Sequence, residues 1–340
     1  DLTATSSSTG AFTYTIADTD IATTVTGSTT TIVGAGTTTV TVSQAADTNY
    51  NTATATMTLT VSQADLSTTS IAAIPDQTYT GSAITISPTV TFNGSTVTET
   101  TDYTVGFTNN TNAGTASLTI TGTGNFTGTK TVSFTIVKAS PTIAFNDVTK
   151  TYGESDFDLT ATSSSTGAFT YTIADTDIAT VTGSTTTIIG AGTTTVTVSQ
   201  AADTNYNTAT ATIMLTVNKA DLSIIFNNVT KSFIDPDFNL SVTSSSTGAL
   251  NYSIADTDVA TVSGNTVSIV GAGTTTVTVS QAADSNYNAA TATMILTIGK
   301  INPTLSGFNA LVKTYGDPDF VLSTPIKNLD NTGAFSYNSS

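Results

Sequence analysis

No cysteine, histidine, tryptophan or arginine occurs in this chain. Each absence removes a chemistry. Without cysteine there are no disulfides and no thiolate, and the redox compartment leaves no mark. Without histidine the usual general base near neutral pH is missing. Without arginine there is no bidentate clamp for phosphate or carboxylate. Charge is scarce too: charged residues are 9% of the chain, against about 25% in an ordinary domain. The sign is one-sided, with 24 acidic residues, 8 basic ones and a net charge of −16. That balance argues against nucleic acid, which rewards clustered basic residues, and against anionic membrane surfaces. No run approaches the roughly 18 apolar residues of a membrane-spanning helix.

What the chain does have is repetition, rich in threonine. Leu2–Phe12 recurs almost letter for letter as Leu159–Phe169. Asp175 recurs as Asp256, and Gly190 as Gly271. A further copy opens near Ile301. The first copy lacks its opening stretch and the last its second half, so the chain reads as a window on a longer array. Five segments are expected: residues 1–64, a repeat lacking its N-terminal strands; 65–139, a distinct module; 140–220 and 221–300, full repeats; and 301–340, the start of another.

The local pattern is β throughout. Ala209, Ala211, Ile213, Leu215 and Val217 alternate with threonines, and Val196 with Val198, as do Phe169, Tyr171 and Ile173. This period of two marks half-buried strands. In the distinct module Tyr103–Phe107, Ala116–Ile120 and Val132–Ile136 alternate likewise. Gly190-Ala191-Gly192 separates two strand-like runs and suits a tight hairpin. Short strands with frequent turns predict Ig-like β-sandwiches. The joints, such as Val137-Lys138-Ala139 and Asn218-Lys219-Ala220, contain no Gly/Ser spacer. The expected fold class is therefore all-β, a tandem array of Ig-like sandwich domains forming an extended rod.

Lys150-Thr151-Tyr152-Gly153-Glu154-Ser155-Asp156-Phe157 and Lys313–Phe320 resemble the opening of bacterial Ig-like surface repeats. Gly190-Ala191-Gly192-Thr193 and Asn205-Tyr206-Asn207 are similar to other parts of those repeats. Asp102–Val105, Asn112–Ala116 and Gly122–Gly128 resemble a second bacterial Ig-like class. The resemblance is to the repeat regions of giant Bacteroidetes surface adhesins, most of all the flavobacterial gliding-motility adhesin. It implies export by type IX secretion to the extracellular cell surface. It also implies a stalk held by anchoring or motility machinery and carrying a tip toward surface polysaccharide or a substratum. Two alternatives stand beside it: a self-associating filament or matrix protein, and a repeated carbohydrate- or ice-binding module.

No catalytic residue is expected. Paired carboxylates remain, but they recur once per repeat, which suits structure better than a single active site. Asp175-Thr176-Asp177 and Asp256-Thr257-Asp258 offer two carboxylates each to a hard cation such as Ca²⁺. The alternative is an aspartate-capped turn. Glu154 and Asp156, with Asp158, form a second acidic candidate. The next copy's opening carries Asp235 and Asp237 and the joint before it Asp221, an interdomain cation site if the joint folds near the opening. The Tyr in Asn49-Tyr50-Asn51, Asn205-Tyr206-Asn207 and Asn286-Tyr287-Asn288 is expected to close one end of its sandwich as a tyrosine corner, with ligand stacking as the alternative. Thr52, Thr54, Thr56, Thr58 and Thr60 line one strand face, a solvated surface or an ice-matching array. Uncharged edge strands open a route to lateral self-association.

Overall fold

The computed structural model describes residues 1–307, 309–322, 324–327 and 336. Part of the expected start of a further repeat after Ile301 lies outside the described residues. Among the described residues the regular structure is β-strand, apart from one 3₁₀ turn at Leu66–Thr68 capped by Asp65. The fold is an all-β tandem array of Ig-like sandwiches, as the alternation requires. Two compact units group the chain. One holds Asp1–Phe145, Ala161–Thr170 and Val198–Ala211; the other holds Asn146–Thr160, Tyr171–Thr197 and Thr212–Ser340.

In the second unit, residues 221–300 form two main sheets. One sheet runs Val229–Ser232, Ala290–Gly299, Gly273–Gln281, Leu250–Ile254, with the first pair parallel and the others antiparallel. The other runs Phe238–Asn239, Thr266–Ile269, Ala260–Ser263. Alternation sets what is buried. In Ala290–Gly299, Met294, Leu296 and Ile298 are buried while Thr293 and Ile295 are exposed. These side chains pack with Ala260, Val267 and Val277.

The first unit contains the distinct module. Its larger sheet runs Tyr103–Thr108, Gly114–Gly122, Thr129–Val137, Gln77–Thr78. Its smaller sheet runs Ser95–Thr96, Val90–Phe92, Ser70–Ile71. Leu118, Ile120, Phe134 and Ile136 fill the interior, with Leu66 and Val90. The Tyr103 hydroxyl donates to the Pro88 carbonyl at 3.2 Å.

The same unit holds residues 1–64, where Phe12–Ile16, Gly36–Gln44 and Ala53–Val61 form one sheet. Met57 on this sheet is 50% exposed. Its counterparts Ile213 and Met294, on strands that pair with Val148–Thr151 and Val229–Ser232, are 5% and 2% exposed. This copy also carries an extra threonine. Ala22-Thr23-Thr24-Val25 stands where Ala179-Thr180-Val181 stands later. The insertion is absorbed as a register shift between Thr24 and Thr26, while Ala179–Thr182 pairs evenly with Thr185–Ile188. A bulge keeps the inward set facing inward on either side of an inserted residue.

One expectation fails here. Gly190-Ala191-Gly192 joins Thr185–Ile188 in one sheet to Gly192–Gln200 in the other, so the Gly-Ala-Gly segment is a crossing between sheets and not a hairpin. The true hairpin lies just before it. Thr182 pairs with Thr185 around Gly183, whose φ is +63°.

Candidate functional site: the joints between modules

The acidic candidates are placed one by one. Asp175 accepts from the Asp177 amide at 2.9 Å, and its own amide donates to Thr194 Oγ1. Asp256 accepts from the Asp258 amide at 3.0 Å in the same way. Glu154 accepts from the Thr151 amide at 2.9 Å and pairs with Lys150 at 3.3 Å. Asp235 repeats that turn by accepting from the Ser232 amide. Asp156 is exposed. Asp158 accepts from the Ser184 and Thr185 hydroxyls, Asp237 from Ser268, and Asp221 from Asn288. Each bonded carboxylate thus serves a different local turn or strand. Among the described residues no three acidic groups converge on a metal position.

The opening motif serves packing in the same local manner. Lys150 lies over the Phe157 ring at 4.9 Å and Lys231 over Phe238 at 5.1 Å, a cation–π pairing at each repeat start. Gly153 turns with φ +86°, whereas Ile234 at the matching position does not take a positive φ.

What the sequence did not reveal is a joint built three times from the same atoms. Residues 1–64 meet the distinct module where the Ala35 amide donates to Asn125 Oδ1 at 2.7 Å. The distinct module meets the next repeat where the Ala113 amide donates to Asn205 Oδ1 at 2.9 Å. That repeat meets the following one where the Ala191 amide donates to Asn286 Oδ1 at 2.9 Å. The donor always sits in an Ala-Gly turn of the preceding module. The acceptor is always an asparagine hook of the following one.

The linkers lock onto the same hook. The amides of Ala64, Ala139 and Ala220 donate to the carbonyls of Asn125, Asn205 and Asn286 at 3.0, 2.9 and 2.9 Å. Each linker alanine forms a parallel bridge with the residue after the hook, Phe126, Tyr206 or Tyr287. The residue before it reaches the loop as well. Gln63 Nε2 donates to the Gly124 carbonyl, Lys138 Nζ to that of Asp203 and Lys219 Nζ to that of Asp284.

The tyrosines therefore act differently from a corner within one sandwich. Tyr206 meets Tyr79 of the preceding module edge-on, with ring centroids 5.4 Å apart. Tyr287 meets Tyr152 at 5.5 Å in the same geometry. Such edge contacts favour one orientation of the two rings.

In the repeats the hook is held ready by an aspartate. Asp203 Oδ1 accepts from the Asn205 and Tyr206 amides, and Oδ2 from the Ser165 hydroxyl, the Thr166 amide and the Thr166 hydroxyl. Asp284 repeats all five bonds. Asp47 does so too, although there the following Tyr50 is 48% exposed.

These bonds hold all three carboxyls well below their ordinary value of 3.8. The Thr166 amide contributes most at Asp203, the Ser246 hydroxyl at Asp284 and the Asn49 amide at Asp47. A depressed folded-state value means that the unfolded chain takes up the proton first. The contribution is then complete above the ordinary value of 3.8 and fades as pH falls below it. Loop protection, followed by amide exchange at Asn205 and Tyr206, is expected to stay level from pH 7 to about 5 and to decline only below about 4. A decline centred near pH 6 would contradict this.

The Asp-Thr-Asp turn acts on the other half of the joint. A Cβ at Gly190 would come within 2.6 Å of the Asp177 carbonyl oxygen, and one at Gly34 within 2.6 Å of that of Asp20. Only glycine lets the turn that offers the alanine amide sit so tightly on this support.

No family model matches the chain, and no curated protein matches it in sequence. Solved structures with tandem β modules are similar at low identity. Titin I-band fragment I67-I69 aligns at 12% identity, covering 69% of this chain and 99% of that one, with a TM-score of 0.30. Domains 1-6 of surface layer protein SbsC align at 17%, covering 88% and 52%, with a TM-score of 0.24. Drosophila N-cadherin EC1-3 aligns at 11%, covering 55% and 77%, with a TM-score of 0.22. The chain spans about half the length of the SbsC fragment. At these scores the likeness carries no argument about function.

Proposed function

We propose that this chain is part of the structural stalk of a repetitive cell-surface adhesin. In this reading it presents an adhesive tip and transmits force during attachment or gliding. It works outside the cell, reaches the surface by type IX secretion and is held there by anchoring or motility machinery. Its tip meets surface polysaccharide or a substratum. The chain's own role is mechanical and not enzymatic.

The repeated joint carries this reading. A flexible tether needs no such device. Here each linker alanine is fixed by backbone bonds to the next module, and a side-chain hook adds a bond to the module before. Several hydrogen bonds across a short linker remove the rotations through which a pull or a torque would dissipate.

Small-angle scattering of the 340-residue chain tests the reading. A stalk requires a radius of gyration well above the roughly 20 Å of a compact chain of this length. The double variant Asn205→Ala, Asn286→Ala should broaden the distribution of dimensions while the modules melt as before. A maximum dimension below about 80 Å would remove the physical basis for a stalk.

One observation favours a second reading, self-association into filaments. Among the described residues Leu250–Ile254 pairs with Gly273–Gln281 on one side only, and it carries no charged residue, so its outer edge has none of the charges that usually discourage strand addition. Sedimentation of the purified chain separates the two, since a stalk stays monomeric.

A further inference from the structure

We propose that the joint is blind to module class: the asparagine hook of either fold seats on the Ala-Gly turn and alanine linker of either fold. Three of the four ordered pairings are already present. A repeat precedes the distinct module, the distinct module precedes a repeat, and a repeat precedes a repeat. The two folds behind these joints share the order of the larger sheet but differ in the smaller sheet and in the residues of the core, yet the turn-amide and linker-alanine bonds across the joint are the same.

The backbone explains the indifference. The glycine after the donor alanine has φ +150° at Gly36, +139° at Gly114 and +155° at Gly192. All three turns therefore aim an amide from one backbone shape, whichever class carries them. The edge-on tyrosine pairs occur only where a repeat follows. The bonds that all three joints share are otherwise made by main-chain groups of the linker and the loop, plus the asparagine Oδ1. None of these depends on which residues fill the sandwich. Even the reach to the loop carbonyl is made by glutamine in one linker and by lysine in the others. The partner this surface fits is thus any module end offering the turn amide and the linker alanine. The inference stands whether or not the array is a stalk.

The fourth pairing, the distinct module after itself, tests it. A copy of residues 65–139 is inserted directly after Ala139 in the full chain, which reproduces the Ala-Asp step of Ala64-Asp65. The distinct module then supplies both halves: the Ala113 amide, Lys138 and Ala139 from one copy, and Gly124, Asn125 and Phe126 from the next. Hydrogen exchange is followed at the Ala113 amide, now present twice, and at Leu118 and Ile120 as a check on each core. The expected result is a single slow population at Ala113. Asn125→Ala in the inserted copy should release half of that population, with exchange about tenfold faster. Three results would overturn the proposal: half of the Ala113 signal already fast before mutation, no response to Asn125→Ala, or loss of protection at Leu118 and Ile120 in the inserted copy.

Discussion

Leu296→Ala is expected to destabilise residues 221–300 by about 2–5 kcal/mol, the range for removing a buried leucine that leaves a cavity. Leu296 has no exposed surface. It lies opposite Val229 on one neighbouring strand and Thr275 on the other, and it packs into the core with Val277 and Met294. A module of about 80 residues holds roughly 4–12 kcal/mol in all, so the loss is a large share of the whole. Its melting midpoint should fall by at least about 8 °C. Ile295→Ala, one residue away and 48% exposed, should cost within about 0.5 kcal/mol. Equal shifts for the two variants would mean that the inward register of this strand is wrong.

That contrast shows why the fold was legible and the joint was not. Alternation is a local signal: the side chain two residues on shares the face, so Met294, Leu296 and Ile298 announce themselves without knowledge of their partners. The joint has no such signature. Asn205 and Ala113 are 92 residues apart, and the group that Asn205 accepts from is a backbone amide, which every residue but proline carries. The repetition of Asn-Tyr-Asn was visible, yet a ring before a strand reads equally well as the cap of its own sandwich. Gly-Ala-Gly between two strand-like runs reads as a hairpin because sequence does not show a change of sheet. The Asp-Thr-Asp motif drew attention by its charge. The atom of Asp177 that approaches Gly190 is its carbonyl oxygen, which sequence hides completely. One clue was available: Ala before Gly, an alanine linker and an asparagine loop occur together in both module classes.

The loop that carries the hook should be broken most directly by Gly248→Ala. A Cβ there would fall 1.9 Å from the Ala282 carbonyl oxygen and 2.9 Å from its carbon. Backbone, unlike a side-chain tip, cannot rotate away. The segment cannot drift apart freely either. The Ala282 amide donates to the Ala249 carbonyl, and Gln281 Nε2 donates to the carbonyls of Ser246 and Gly248 at 3.0 Å. Ser246 and Thr247 in turn hold Asp284, which holds the Asn286 and Tyr287 amides. The methyl group must therefore separate residues 246–249 from 281–284 and loosen the hook on the same stroke. The expected cost is about 1–3 kcal/mol or more, the range for forcing atoms into a packed site. The Asn286 and Tyr287 amides should lose protection together, and the Ala191 amide with them. Gly264→Ala supplies the comparison. Its Cβ would meet nothing within 4 Å, but its φ of +59° disfavours any side chain. That variant should cost about 1–2 kcal/mol through backbone strain alone and leave the joint amides protected. Amide exchange on the two variants, adjusted to equal stability with denaturant, separates the effects. If Gly248→Ala leaves Ala191 as protected as Gly264→Ala does, the aspartate-held loop is not what positions the hook.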